Sequence, residues 1–201
     1  INDRQKMLTL TIDGSGDRAI NCTVSIFKNK NLKRIFESKD FIIGRIYRHI
    51  TLLLGMKWGE HEYKTMGLAP YASKNSSSKV YKIFCETFDI RLNTKKFLYK
   101  NLKDCYFTFF EKLKTHRFDA IAGGVQMFAE DRILKWVNYW IKKTKIKKIS
   151  YSGGVSMNVK VNKEISEIEK LENLNVLGAG TDDSLSIGAC YAFANKKELI
   201  T

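Results

Sequence analysis

Two glycine-bearing turns, about 140 residues apart, hold the groups most able to do chemistry in this 201-residue chain. The first, Asp13-Gly14-Ser15-Gly16-Asp17, follows the apolar run Leu8-Thr9-Leu10-Thr11-Ile12. The second, Ser152-Gly153-Gly154, follows Ile146-Lys147-Lys148-Ile149-Ser150-Tyr151 and runs on into Val155-Ser156-Met157-Asn158. Glycine has no Cβ, so the backbone can turn sharply and a ligand can approach its N–H groups. In the first turn those N–H groups can meet phosphate oxygens. The Asp13 and Asp17 carboxylates need a cation in between, or a polar acceptor molecule. In the second turn, Gly153 and Gly154 open a helix whose positive end favours anions and polar rings. Asn158 offers both a donor and an acceptor. A plain acidic hairpin corner and a structural turn are the alternatives, but the pair points to a nucleotide held between its phosphates and its base.

A third turn, Gly178-Ala179-Gly180-Thr181-Asp182-Asp183, precedes the last apolar segment, and either aspartate there suits a helix cap. Gln126 and Glu130 lie one helical turn apart and face the same side. Trp58, Trp136 and Trp140 read as core packing.

The elements that must position these groups are legible in the periodicity. Strands are expected over 7–12, 20–27 and 32–36, with the turn Lys28-Asn29-Lys30-Asn31 between the last two. A helix is expected over 42–54, with Ile43, Ile46, Tyr47, Ile50, Leu53 and Leu54 on one side. Residues 74–78 read as a loop, and 80–116 as lysine-rich, aromatic and helical. A long amphipathic helix over 118–143 turns Ile121, Val125, Phe128, Ala129, Ile133, Trp136, Val137 and Trp140 inward. Strand 146–151, helix 155–169, strand 174–177 and helix 184–195 complete the chain. The order is that of one ribonuclease-H-like lobe: an α/β unit with a mixed five-stranded sheet, spanning 1–201 as one domain with a helical insert over 74–116. In such sheets ligands sit outside the carboxyl ends of the strands, and all three turns leave such ends.

Composition narrows the class. Hydrophobic content of 44% argues against disorder. No apolar run reaches the roughly 20 residues of a membrane span, and the polar start resembles no secretory signal. Position 1 is not Met, which suggests a piece of something longer. Cys22, Cys85, Cys105 and Cys190 form no CxxC pair and read as buried, reduced thiols of a cytoplasmic protein. The net charge of +14 is spread along the chain with no RNA-binding or zinc-finger motif, so it reads as a solvated surface rather than a nucleic-acid site.

With the block Glu62-Tyr63-Lys64-Thr65-Met66-Gly67-Leu68-Ala69-Pro70-Tyr71, these motifs resemble the O-carbamoyltransferase family. That family includes the nodulation-factor and antibiotic enzymes and is related to the tRNA threonylcarbamoyl transferases. The resemblance covers nearly the whole chain through the Asp-Gly-x-Gly-Asp turn, the Glu-Tyr-Lys block, Gly-Gly-Val-x-x-Asn and a closing Gly-x-Asp-Asp. It implies a lobe of the actin-like ATPase superfold and transfer of a carbamoyl group to a hydroxyl of a sugar, glycan or natural product. Carbamoyl phosphate and ATP supply that group as carbamoyl-adenylate, beside a divalent metal, commonly iron. By resemblance Gly153, Gly154 and Asn158 line the adenosine, the helix carrying Gln126 and Glu130 lies beside the nucleotide, and Asp182 is a metal ligand. Glu62 and Lys64 form either a buried pair that positions or deprotonates the acceptor, or an exposed ion pair. His49, His61 and His116 show none of the family's His-x-x-x-His spacing, and the family's adenylate-forming domain is expected outside these 201 residues. The chain therefore reads as the second lobe, with the first lobe and the C-terminal domain elsewhere, and with homodimerisation expected through the face left bare. A lobe that binds ATP or a partner without turnover is the alternative. A sugar kinase of the same superfamily would lack the Glu62-Tyr63-Lys64 block.

Overall fold

The computed structural model describes residues 6–88 and 104–197. Strands β1 (Met7–Ile12), β2 (Cys22–Lys28) and β3 (Asn31–Ser38) form an antiparallel meander. Strands β4 (Lys148–Ser152) and β5 (Asn173–Val176) extend it in parallel from the other side of β1. The order across this mixed five-stranded sheet is β3-β2-β1-β4-β5. Seven helices are described: α1 (Ile43–Leu53), α2 (Glu62–Leu68), α3 (Lys74–Thr87), α4 (Cys105–Leu113), α5 (Phe118–Thr144), α6 (Val159–Ser166) and α7 (Ser184–Lys197).

Alternation along β1 explains its central place. Leu8, Leu10 and Ile12 are fully buried on one face, while Thr9 and Thr11 take the other, where the Thr11 and Thr23 hydroxyls lie 2.7 Å apart. Asn29 and Lys30 turn β2 into β3 at φ 51° and 60°, the geometry of a two-residue hairpin. The apolar face of the sheet shares one core with α5. Phe36 lies 5.1 Å from Trp140 and Phe41 lies 5.2 Å from Trp136, both measured between ring centroids. The stripe expected from Ile121 to Trp140 is buried throughout.

Residues 74–78 are helix, not loop. The Ser73 hydroxyl accepts the Ser76 N–H at 3.2 Å and so starts α3, whose Val80 and Phe84 are fully buried. Ser77 is small because α5 passes close by. A Cβ on Gly123 would fall 2.2 Å from Ser77 Oγ, and one on Gly124 would fall 2.4 Å from Val80 Cγ1. Phe84 then meets Phe109 of α4 at 4.9 Å and Phe128 of α5 at 5.5 Å. The described part of 74–116 is thus helical and shares the main core; residues 89–103 of that stretch lie outside the described residues.

Other expectations shift. The helix expected over 155–169 is a 3-10 turn, Gly154–Met157, followed by α6, because the Asn158 side chain accepts the Val161 N–H at 3.2 Å and restarts the chain. Trp58 is 55% exposed instead of core, unlike Trp136 and Trp140. Cys22 is buried, but Cys190 is exposed on α7. Among the described residues no helix is long and apolar enough to cross a membrane.

Candidate functional site

A cavity of about 490 Å³ opens at the carboxyl ends of the parallel strands. Asp13 and Gly14 reach it from the end of β1, Gly154 and Asn158 from the end of β4, and Thr181 and Asp182 from the segment between β5 and α7. All three turns therefore gather on one rim. Glu62 lines the same cavity from α2, and Tyr47 and Arg48 line it from α1.

Backbone geometry explains why these residues stand so close. Gly153 has φ +93°, and a Cβ there would fall 2.3 Å from the Ile12 carbonyl oxygen, so only glycine lets the second turn cross the end of β1. A Cβ on Gly44 would fall 2.7 Å from the Gly14 nitrogen, which lets the start of α1 press on the first turn. The Asp13 carboxylate joins the two turns. Its oxygens accept the Gly14 N–H at 2.5 Å and the Gly154 N–H at 3.4 Å. Gly14 O accepts from Asn21 Nδ2 at 2.7 Å and from Arg45 Nε at 3.0 Å, and Arg45 Nη2 donates to Ser15 Oγ at 3.0 Å.

These bonds revise the phosphate cradle expected of the first turn. The Gly14 N–H is spent on Asp13, and the Gly16 N–H donates to Ile20 O at 2.8 Å. Asp17 begins a short 3-10 turn, Asp17–Ala19, and lies outside the cavity lining. Nor do Gly153 and Gly154 open an α-helix, since α6 starts beyond Asn158. Glu62 and Lys64 are not paired. Glu62 Oε1 accepts the Gly59 N–H at 2.5 Å, while the exposed Lys64 places Nζ 3.1 Å from His61 Nε2, away from the lining. The Asp182 carbonyl accepts the Leu185 N–H at the start of α7, and Asp183 Oδ2 accepts the Thr181 hydroxyl.

Arg45 and Arg48 escaped the sequence reading. They flank Tyr47 three residues apart, and the apolar stripe of α1 drew attention away from them. Arg48 sits over the Trp58 ring, 5.3 Å from its centroid, which explains why that tryptophan stays at the surface. Burial pushes the Tyr47 phenol well up, and the nearby Glu130 and Glu62 charges add to this. Tyr47 therefore stays protonated and donates to Gln126 Oε1 at 2.7 Å. Gln126 is only 2% exposed and lies behind the cavity wall.

The lining carries four carboxylates, from Asp13, Glu60, Glu62 and Asp182, against the guanidinium of Arg48. This acidic wall contrasts with the +14 charge of the whole chain. It suits hydroxyls and weakly charged ligands better than a bare polyphosphate. Among the described residues no three His, Cys, Asp or Glu gather closely enough to hold a metal ion. Asp182, expected as a metal ligand, has no such group around it among the described residues.

Residues 3–191 match the family description "Carbamoyltransferase N-terminus". An uncharacterized protein of Methanocaldococcus jannaschii is 29% identical over 92% of this chain and 33% of its own length. The tRNA N6-adenosine threonylcarbamoyltransferase of Ureaplasma urealyticum is 23% identical over 87% of the chain and 52% of its own length. Nodulation protein NolNO of Sinorhizobium fredii is 24% identical over 96% of the chain and 28% of its own length. The chain thus spans between about a quarter and a half of the length of these relatives.

Proposed function

The chain belongs to the carbamoyltransferase N-terminal family, and from that premise we propose that it is the nucleotide-binding lobe of a carbamoyltransferase acting on a hydroxyl of a sugar, glycan or natural product. One observation carries the reading: the turns ending β1 and β4 and the segment after β5 line a single cavity. The meander followed by two parallel strands is the strand order of a ribonuclease-H-like lobe, and we assign the chain to the actin-like ATPase superfold on that ground. A first lobe and an adenylate-forming domain, which makes the donor from carbamoyl phosphate and ATP, complete the enzyme in this reading.

The donor is carbamoyl-adenylate, whose single negative charge suits a wall with four carboxylates and one arginine better than ATP does. The acceptor oxygen attacks the carbamoyl carbon, the carbon–oxygen bond to the adenylate phosphate breaks, and AMP leaves. The acceptor proton goes to a carboxylate, and Glu62, held by the Gly59 N–H at the cavity edge, is placed for that role. Arg48 faces the phosphate, and Asn158 with Tyr47 orients the nucleoside. Lys64, outside the lining, takes no part.

Calorimetry of the chain with adenosine, AMP and ATP in metal-free buffer tests the reading. Adenosine and AMP are expected to bind at about millimolar Kd, near 4 kcal/mol, with ATP weaker. Binding of ATP alone, or of none of the three, contradicts it.

A further inference from the structure

Two large aromatic side chains stand exposed at the mouth of the cavity. Tyr63 lines the cavity and is still 61% exposed, and Trp58 is 55% exposed. Trp58 directly precedes Gly59 and packs against Arg48, and both of those residues line the cavity. Single apolar residues scattered over a surface are ordinary. Two aromatic rings on one short segment beside a cavity are not scattered, and each offers flat apolar area that a ligand can cover. The segment is also held in shape. The Lys57 N–H donates to His61 Nδ1 at 3.1 Å, the His61 N–H donates to the Lys57 carbonyl at 2.9 Å, and the Gly59 N–H is held by Glu62. A platform ordered in advance costs a ligand less entropy on binding.

The charges around the two rings select the ligand. Aromatic rings beside carboxylates commonly suit a cation, but here the protein supplies the cations itself. The Arg48 guanidinium stands over the Trp58 ring at 5.3 Å, and Lys64 Nζ lies 5.8 Å from the centroid of Tyr63. Lys57 Nζ pairs with Glu60 Oε1 at 2.5 Å. A ligand ammonium would be repelled by these three charges, and a ligand carboxylate by Glu60 and Glu62. A neutral ring with C–H bonds on its faces and hydroxyls on its edge meets neither penalty. Its faces cover aromatic carbon, and its hydroxyls can donate to the Glu60 and Glu62 carboxylates that line the cavity. We propose that Trp58 and Tyr63 form the acceptor subsite and that its occupant is an uncharged pyranose of a sugar or glycan. The assignment rests on the reading of Glu62 as the group that takes the acceptor proton, and it narrows the acceptor from any hydroxyl compound to a neutral sugar. Glu62 adjoins Tyr63 in the chain and lines the same cavity, so a pyranose on the platform has a base at hand.

The chain carries its own reporter, since Trp136 and Trp140 are buried and Trp58 is the exposed one of its three tryptophans. Titration with methyl glucoside, methyl galactoside, methyl mannoside and N-acetylglucosamine is followed by tryptophan fluorescence. At least one of the four is expected to move the emission to shorter wavelength and to saturate at about millimolar concentration. Tyr63→Leu is expected to weaken that sugar about fivefold by the same readout. Trp58→Leu, followed by calorimetry, is expected to weaken it about tenfold, with Trp58→Tyr restoring most of the affinity. Both positions are exposed, so these variants are expected to fold. Glucosamine, with its ammonium, and glucuronate, with its carboxylate, are expected to bind at least about fivefold more weakly than the neutral sugar. Absence of a saturable shift with all four sugars overturns the inference. So does binding that survives both leucine variants, or that favours glucosamine or glucuronate. A shift that grows with protein concentration in the absence of sugar marks an interface between copies and overturns it as well. Adenosine binding, measured on its own, decides the nucleotide reading, so either can fail while the other stands.

Discussion

Leu10 and Asp13 stand three residues apart on one stretch of chain, yet they belong to regions built in opposite ways. Leu10 is fully buried in a core of Ile, Val, Phe and Trp, where few polar side chains enter. Asp13, just past the end of β1, sits where chain segments cross, carboxylates cluster and backbone N–H groups are held by side chains. The interior is secured by volume, so its side chains resist change in size. The rim is secured by hydrogen bonds and by glycines that no other residue can replace, so it resists change in shape. α5 serves both, with Trp136 in the interior and Gln126 behind the rim.

Substitutions should separate the two regions. Phe84→Ala, at the meeting of Phe109 and Phe128, is expected to cost about 3–5 kcal/mol by chemical denaturation. Adenosine affinity of the remaining folded protein should be unchanged; a loss of affinity as large as the loss of stability would merge the two regions. Gly153→Ala places a Cβ against the Ile12 carbonyl at φ +93° and is expected to cost about 2–3 kcal/mol, with binding lost as well. Asp13→Ala strands the Gly154 N–H and is expected to cost about 1–2 kcal/mol; a neutral result would mean that the carboxylate does not join the turns.

A smaller effect belongs to His49 on α1. Burial holds its pKa below the ordinary imidazole value, Asp104 opposing and Arg48 and Arg45 adding to the shift. The unfolded chain therefore takes up that proton first, and stability is full above about pH 6.5 and falls as pH drops below it. His49→Gln should flatten that slope in urea melts at several pH values. Lys64→Ala, outside both regions, should change stability by less than about 0.5 kcal/mol and leave adenosine binding intact; a large loss would return Lys64 to the site.

Much of the interior was legible because period and burial agree, as the stripe from Ile121 to Trp140 shows. α3 was missed because Asn75-Ser76-Ser77-Ser78 looks like loop. The reason for small residues there, the approach of Gly123 and Gly124, lies 46 residues away at Ser77 and 44 away at Val80. At the rim, residue type found Asp13, Gly154, Asn158 and Asp182, since turns after strands share one edge. It did not find Arg45 and Arg48, whose relevance depends on where α1 lands. Nor could it foresee that Asp13 would take the Gly14 and Gly154 N–H groups offered to phosphate, because hydrogen-bond partners 141 residues apart leave no local pattern.

In the proposed function, three turns distant in sequence hold one nucleoside. A titration of the ¹⁵N-labelled chain with adenosine, followed residue by residue, tests it most directly. The amides of Gly14, Gly154, Asn158 and Asp182 are expected to shift together with a single Kd, while those of β3 and α4 stay still. Shifts confined to one turn, or centred on β3 or α4, would contradict it.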